Sequence, residues 1–170
     1  MTPPRRITVM LADDHAIVRR GLRVLLGTGG DIAIVGEAKN GSEAVRMAGA
    51  LGPDVILMDI AMPILNGLEA THEILAANPA ARVIILSAHT DDEYIKRSVE
   101  AGVAGFLEKQ NYAKSVATAI REVAAGRPFF SPYVAKRIQN GVGGPPGQPR
   151  KPGSRPPIAS SDNSVELTIG

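Results

Sequence analysis

No cysteine occurs among the 170 residues, which excludes disulfide frameworks, thiolate metal sites and thiol nucleophiles. Aromatic residues make up only 4% of the chain, so a core drawn from its 44% hydrophobic residues must be mainly aliphatic. No apolar run approaches the roughly 18–20 residues that a membrane span needs. Arg5-Arg6 precede only Ile7–Ala12 before Asp13 and Asp14 intervene, a run too short for a signal peptide. The expectation is a cytoplasmic protein with no membrane partner. Charge of one sign is also lacking, with 19 Lys/Arg against 17 Asp/Glu. The small basic surplus falls beyond residue 133, so the globular part carries no basic bias toward nucleic acid. The length suits one ordinary domain plus an extension.

Short β-like runs alternate with helical stretches. The runs are Ile7–Ala12, Ile32–Ala38, Val55–Asp59, Val83–Ser87 and Ala104–Leu107. Three of them are near-continuous Val, Ile and Leu, as expected where helices cover both faces of a sheet. Between them, apolar residues recur at helical spacing: Ile17, Val18, Leu22, Leu25 and Leu26 in the first stretch, and Ala44, Val45, Ala48 and Leu51 in the second. Three further stretches follow, around Leu68–Leu75, Tyr94–Ala101 and Val116–Val123. Five β-α pairs imply an α/β fold, a flavodoxin-like (βα)5 doubly wound parallel sheet of order 2-1-3-4-5. The expected divisions are a globular domain over residues 6–126 and a short extension over 127–140. Ser131-Pro132 would open a helix in that extension, as N-cap and first helical residue. Residues 141–170 begin with a Gly/Pro-rich stretch and are expected to be a disordered linker and tail.

The ends of these runs carry the chemistry. Asp13-Asp14 follow the first, Asp59 ends the third, Ser87 ends the fourth and Lys109 follows the fifth. In a parallel α/β sheet the site lies beyond the carboxyl ends of the strands, and strands one and three adjoin at the switch point. Two carboxylates about 4 Å apart repel by roughly 4 kcal/mol at an effective dielectric near 20. A hard divalent cation removes that repulsion, and oxygen ligands suit magnesium. Asp59 then reads as a nucleophile toward a phosphoryl group, with Lys109 as a mobile charge and Ser87 as a hydroxyl donor. Gly67 is expected where the backbone turns near the site. Each residue alone has a plainer reading: Asp14 as a helix N-cap, Asp59 as a turn residue, Ser87 as a satisfied hydroxyl, Lys109 as a solvated lysine. Only their joint placement argues for a site.

These residues together resemble the receiver domain of bacterial two-component response regulators, over residues 6–126. Asp13-Asp14 look like that family's metal-binding pair, and Asp59, in Leu-Met-Asp-Ile-Ala-Met-Pro, like its phosphoacceptor. Ala61 stands where a backbone carbonyl completes the metal site. Ser87 and Phe106 stand at the two switch positions, and Lys109 matches the family's lysine. Ala61 and His89 occupy positions that tune phosphate lifetime. Asp13-Asp14-His15 with Val18-Arg19-Arg20-Gly21-Leu22 further resembles the subfamily with a LuxR-type helix-turn-helix output.

The resemblance implies Mg2+ as cofactor, with Mn2+ as an alternative, and a sensor histidine kinase as phosphodonor. It also implies self-catalysed phosphotransfer and autodephosphorylation without turnover of outside substrates, a homodimer, and transcription as readout. Phosphorylation would draw in Ser87, turn Phe106, and shift the surface of the fourth helix, fifth strand and fifth helix. DNA would be reached only through an output domain that is not in this chain, so the chain is expected to be a piece of a longer regulator or a stand-alone receiver acting through protein partners. A magnesium-dependent aspartyl phosphatase is a rival. It would want a second acid two residues past the nucleophile, where Ala61 stands. A flavin binder is disfavoured because Asp13-Asp14-His15 would repel a flavin phosphate. A receiver that is never phosphorylated would lack a key residue, and none is missing.

Overall fold

The computed structural model describes residues 4–142. The reading of residues 143–170 as linker and tail lies outside the described residues. The chain runs β1 (Ile7–Ala12), α1 (Ala16–Gly27), β2 (Ile32–Ala38), α2 (Gly41–Leu51), β3 (Val55–Met58), α3 (Gly67–Ala77), β4 (Val83–Ser87), α4 (Asp92–Ala101), β5 (Gly105–Glu108), a 3-10 turn at Tyr112–Lys114, α5 (Val116–Ala124), β6 (Phe129–Phe130) and α6 (Pro132–Gln139). All strand pairs are parallel, in the order β2-β1-β3-β4-β5-β6.

Strand side chains alternate between the two faces, and both faces are apolar, which is why the strands read as continuous hydrophobic runs. Met10, Ala12, Ile56, Met58, Ile85 and Phe106 point to the side covered by α2, α3, α4 and α6. Val9, Leu11, Val55, Leu57, Ile84 and Leu107 point to the side covered by α1 and α5. Three of the helix starts, those of α2, α3 and α6, follow capping chemistry. Asn40 accepts from Glu43 N to open α2, and Asn66 with Glu69 forms a reciprocal capping box at α3. Ser131 accepts from Val134 N, with Pro132 as the first residue of α6.

Several details differ from the sequence expectation. Strand β3 stops at Met58, one residue short of Asp59, and β5 spans Gly105–Glu108 in place of Ala104–Leu107. Strand β6 pairs in register with β5, Gly105 opposite Phe129 and Phe106 opposite Phe130. A strand of two residues, with Pro128 before it and Pro132 soon after, is too short to show a period, so the segment reads as loop. Ile17 does not join the apolar stripe of α1: it is 85% exposed, because it lies half a turn out of phase with the buried Leu26. Asp14 does not cap α1. The N-cap residue is His15, which makes no side-chain cap bond, and its backbone N–H donates instead to Asp13 Oδ1.

Candidate functional site

Strand ends β1, β3, β4 and β5 meet at one edge of the sheet, and backbone hydrogen bonds continue the ladder one residue beyond them. Asp59 N donates to Ala12 O, Asp13 N to Ala38 O, and Lys109 N to Ser87 O. Asp59 therefore sits directly beside Asp13 at the point where the strand order reverses. Gly67, at the start of α3, makes this possible. A Cβ there would lie 1.8 Å from the carbonyl oxygen of Asp59, so no larger residue lets α3 approach the loop. The expected turn glycine is thus required by close packing.

Asp13 and Asp59 are 3% and 4% exposed, above a floor lined by Leu11, Leu22, Leu57 and Leu86. Asp14 is exposed. Lys109 Nζ bridges the buried pair, 2.7 Å from Asp13 Oδ2 and 3.2 Å from Asp59 Oδ2. The second of these is an ion contact without hydrogen-bond geometry, and Asp59 Oδ2 is a buried oxygen with no hydrogen-bond donor. Burial pushes the Asp59 carboxyl above the usual carboxylate range, and the Asp13 charge pushes it further, against the pull of Lys109. Burial alone would lower the Lys109 ammonium. The hydrogen bond to Asp13 and the charges of Asp59 and Asp13 outweigh it, so Lys109 is raised and stays charged at neutral pH.

Ligand atoms of Asp13, Asp14, Asp59 and His15 all lie within 4.8 Å of one another. An orphaned buried carboxylate oxygen inside a set of hard oxygen donors fits a hard divalent cation. His15 was missed by the sequence reasoning: its Nδ1 lies 2.9 Å from Asp13 Oδ1 and 3.2 Å from Asp14 Oδ1. Its place beside the acidic pair was the available signal. Arg19 was missed too. It donates to the carbonyl of Asp13 from α1, a contact that spacing alone does not reveal.

The remaining candidates lie around this cluster. Ser87 is fully buried, and its Oγ accepts the backbone N–H of His89. The exposed His89 ring packs against Tyr94, with centroids 5.3 Å apart. Ala61 is exposed in the loop after Asp59. Phe106 is fully buried on the α4 and α6 side of the sheet. The surface expected to change shape is partly covered by the chain itself. Beyond the β5–β6 pairing, Ser131 Oγ donates to the buried Glu108 at 2.8 Å, and Arg137 Nε donates to Asp92 of α4 at 2.8 Å.

Known proteins resemble this chain in sequence and in fold. The chain is 41% identical over 132 residues to the transcriptional regulatory protein LiaR of Bacillus subtilis, a match that covers 78% of this chain and 63% of LiaR. The chain thus spans less than two thirds of that relative's length. Among solved structures, a LuxR-family two-component response regulator from Aurantimonas sp. SI85-9A1 superposes with a TM-score of 0.76 at 35% identity, covering 79% of this chain and 96% of that one. The signal receiver domain of NarL from Mycobacterium tuberculosis superposes with a TM-score of 0.70 at 31% identity, over 73% of this chain and all of that one. The response regulator receiver domain family matches residues 9–121, a span that holds all four strand ends of the acidic pocket, and the chain belongs to that family.

Proposed function

We propose that this chain is a phosphorylation-driven switch whose phosphoacceptor is Asp59. The observation that carries the reading is the buried, hydrogen-bond-free Oδ2 of Asp59 between Asp13 and Lys109. A carboxylate oxygen kept out of water, with an ion contact but no hydrogen bond, is a better nucleophile than a solvated one. In the proposed step an Asp59 oxygen attacks the phosphorus of a phosphohistidine on a sensor kinase. The P–N bond breaks, its electron pair returns to the imidazole, and the product is an acyl phosphate on Asp59. Water later attacks the phosphorus and returns Asp59 as a carboxylate with free phosphate, so the chain is used and reset without turning over an outside substrate.

Asp13, Asp14 and Asp59, with the Ala61 carbonyl, would hold Mg2+, or Mn2+ in its place. When bound, the ion neutralises charge on the transferring phosphoryl oxygens. Lys109 supplies a second positive charge to the same oxygens, and the Ser87 hydroxyl, whose oxygen accepts from His89 N, donates its own proton to one of them. Phe106 then repacks between β5, α4 and α6. His89, exposed at the rim, and Ala61, with its small side chain, set how freely water reaches the acyl phosphate.

Residues 6–126 form the receiver unit in this reading, with 127–140 as an extension docked on it. The proposed setting is the cytoplasm; among the described residues no helix is long and apolar enough to cross a membrane. LiaR is a transcriptional regulatory protein, and the likeness supports control of transcription, in this reading through a DNA-binding output domain. A homodimer belongs to the same reading. A stand-alone receiver acting through protein partners is the alternative. The aspartyl phosphatase reading is weakened by Ala61, which supplies no general acid.

The test is mass spectrometry after mixing with magnesium and a small acyl phosphate. One phosphoryl adduct is expected on the wild-type chain and none on Asp59→Asn. An undiminished adduct in the variant, or none in the wild type, sinks the assignment.

A further inference from the structure

Arg19 holds the acidic loop from behind. It projects from α1 with its side chain only 11% exposed. One nitrogen, Nη1, donates to the main-chain carbonyl of Asp13 at 2.6 Å, and Nε donates to Glu37 Oε1 at 2.9 Å. Glu37 comes from β2, where it pairs with Leu11 of β1. Its other oxygen takes the Arg23 guanidinium. Two strands and one helix therefore converge on a single guanidinium.

The carbonyl it holds is the first one past the sheet. Ala12 O is taken by Asp59 N, and Asp13 N donates to Ala38 O. Beyond that point the chain leaves the ladder, and the Asp13 carbonyl is met by Arg19. A peptide unit is planar, so fixing this carbonyl fixes the plane that runs on to the Cα of Asp14. Asp14 has little else to orient it, since its carboxylate is exposed and its ion contact is with the exposed His15.

We infer that Arg19 is a positioning residue for the divalent-cation site: it aims the Asp14 carboxylate through the Asp13 carbonyl, and Glu37 aims Arg19. The inference rests on the metal reading given above. It makes an unusual demand, because Arg19 is itself a cation near the proposed ligands. Deleting a positive charge there should tighten magnesium binding by electrostatics alone. Deleting a positioning group should weaken it, by about tenfold or more for groups that orient metal ligands. The two roles thus have opposite signs.

Calorimetric titration of the whole chain with magnesium chloride, at fixed ionic strength, separates them. Arg19→Met is expected to weaken magnesium binding about tenfold. Arg23→Met removes a guanidinium from the same Glu37 without touching the Asp13 carbonyl, and is expected to leave affinity unchanged or slightly tighter. Arg19→Lys keeps the charge but cannot span both partners. It is expected to fold as the wild type does and still bind magnesium more weakly. Unchanged or tighter binding in both Arg19 variants, or an equal loss in Arg23→Met, overturns the positioning role. Failure of the wild-type chain to bind magnesium overturns the metal reading beneath it, a result that the wild-type titration alone reveals.

Discussion

Replacing Asp59 with Asn should make the metal-free protein more stable. The charges around Asp59 nearly cancel. Lys109 Nζ at 3.2 Å attracts the carboxylate by about 5 kcal/mol at an effective dielectric near 20. Asp13, with a ligand oxygen no more than 4.8 Å away, repels it by at least about 3.5 kcal/mol. Asp14 adds a similar repulsion that solvent cuts to about half, because that acid is exposed. Burial then decides the sign, and a carboxylate at 4% exposure is held at a net cost.

We expect Asp59→Asn to gain about 2 kcal/mol, seen as a rise of about 4–8 °C in Tm in a chelator-treated sample. The Asp59 carboxyl is raised above its unfolded value of 3.8, so the wild type loses stability as pH rises through that range. The gap between variant and wild type should therefore be full at neutral pH and shrink as pH falls toward 3.8. Magnesium should act oppositely. For a Kd of about 1 mM, 10 mM ion adds about 1.4 kcal/mol to the wild type, and little to the variant. A variant that melts below the wild type without metal, or that gains as much from magnesium, would refute the argument.

Three further outcomes follow from the packing. Gly67→Ala places a methyl group on the Asp59 carbonyl and should cost more than about 3 kcal/mol in urea unfolding; a loss under 1 kcal/mol would mean that α3 can shift away. Burial works against it, but the Arg23 and Arg19 guanidinium groups hold Glu37 below its unfolded value of 4.5. The stability it adds, about 1 kcal/mol or less, should be present above pH 4.5 and vanish below it, so wild type and Glu37→Gln should converge in acid. Arg137→Met should speed amide hydrogen exchange across Pro132–Gln139 while leaving formation of the phosphoryl adduct unchanged; equal exchange in both proteins would show that the contact with Asp92 does not hold α6.

Much of the fold could be read from the chain because strands buried on both faces have to be apolar along their whole length. An abrupt Asp, Ser or Lys then marks the end of each, as at Asp13, Asp59, Ser87 and Lys109. Topology supplied the rest of the site, since parallel strands bring their carboxyl ends to one edge. What could not be read depends on contacts across elements. Arg19 looks like any polar residue on α1 until β2 places Glu37 beside it. Ile17 shares its spacing with true core residues, and only the phase of Leu22 and Leu26 shows that it faces outward. Strand β6 exists because the edge of β5 is there to receive it, a cause that lies more than twenty residues upstream.

Glu108 and Lys109 are consecutive, and the end of β5 sends them to different destinations. Lys109 reaches into the acidic pocket, while Glu108 holds the hydroxyl of Ser131 that caps α6. A single peptide unit therefore joins the pocket to α6, the last helix among the described residues. The pocket and the start of α6 thus hang from one stretch of backbone, and a shift of that peptide unit would move the base of both side chains at once.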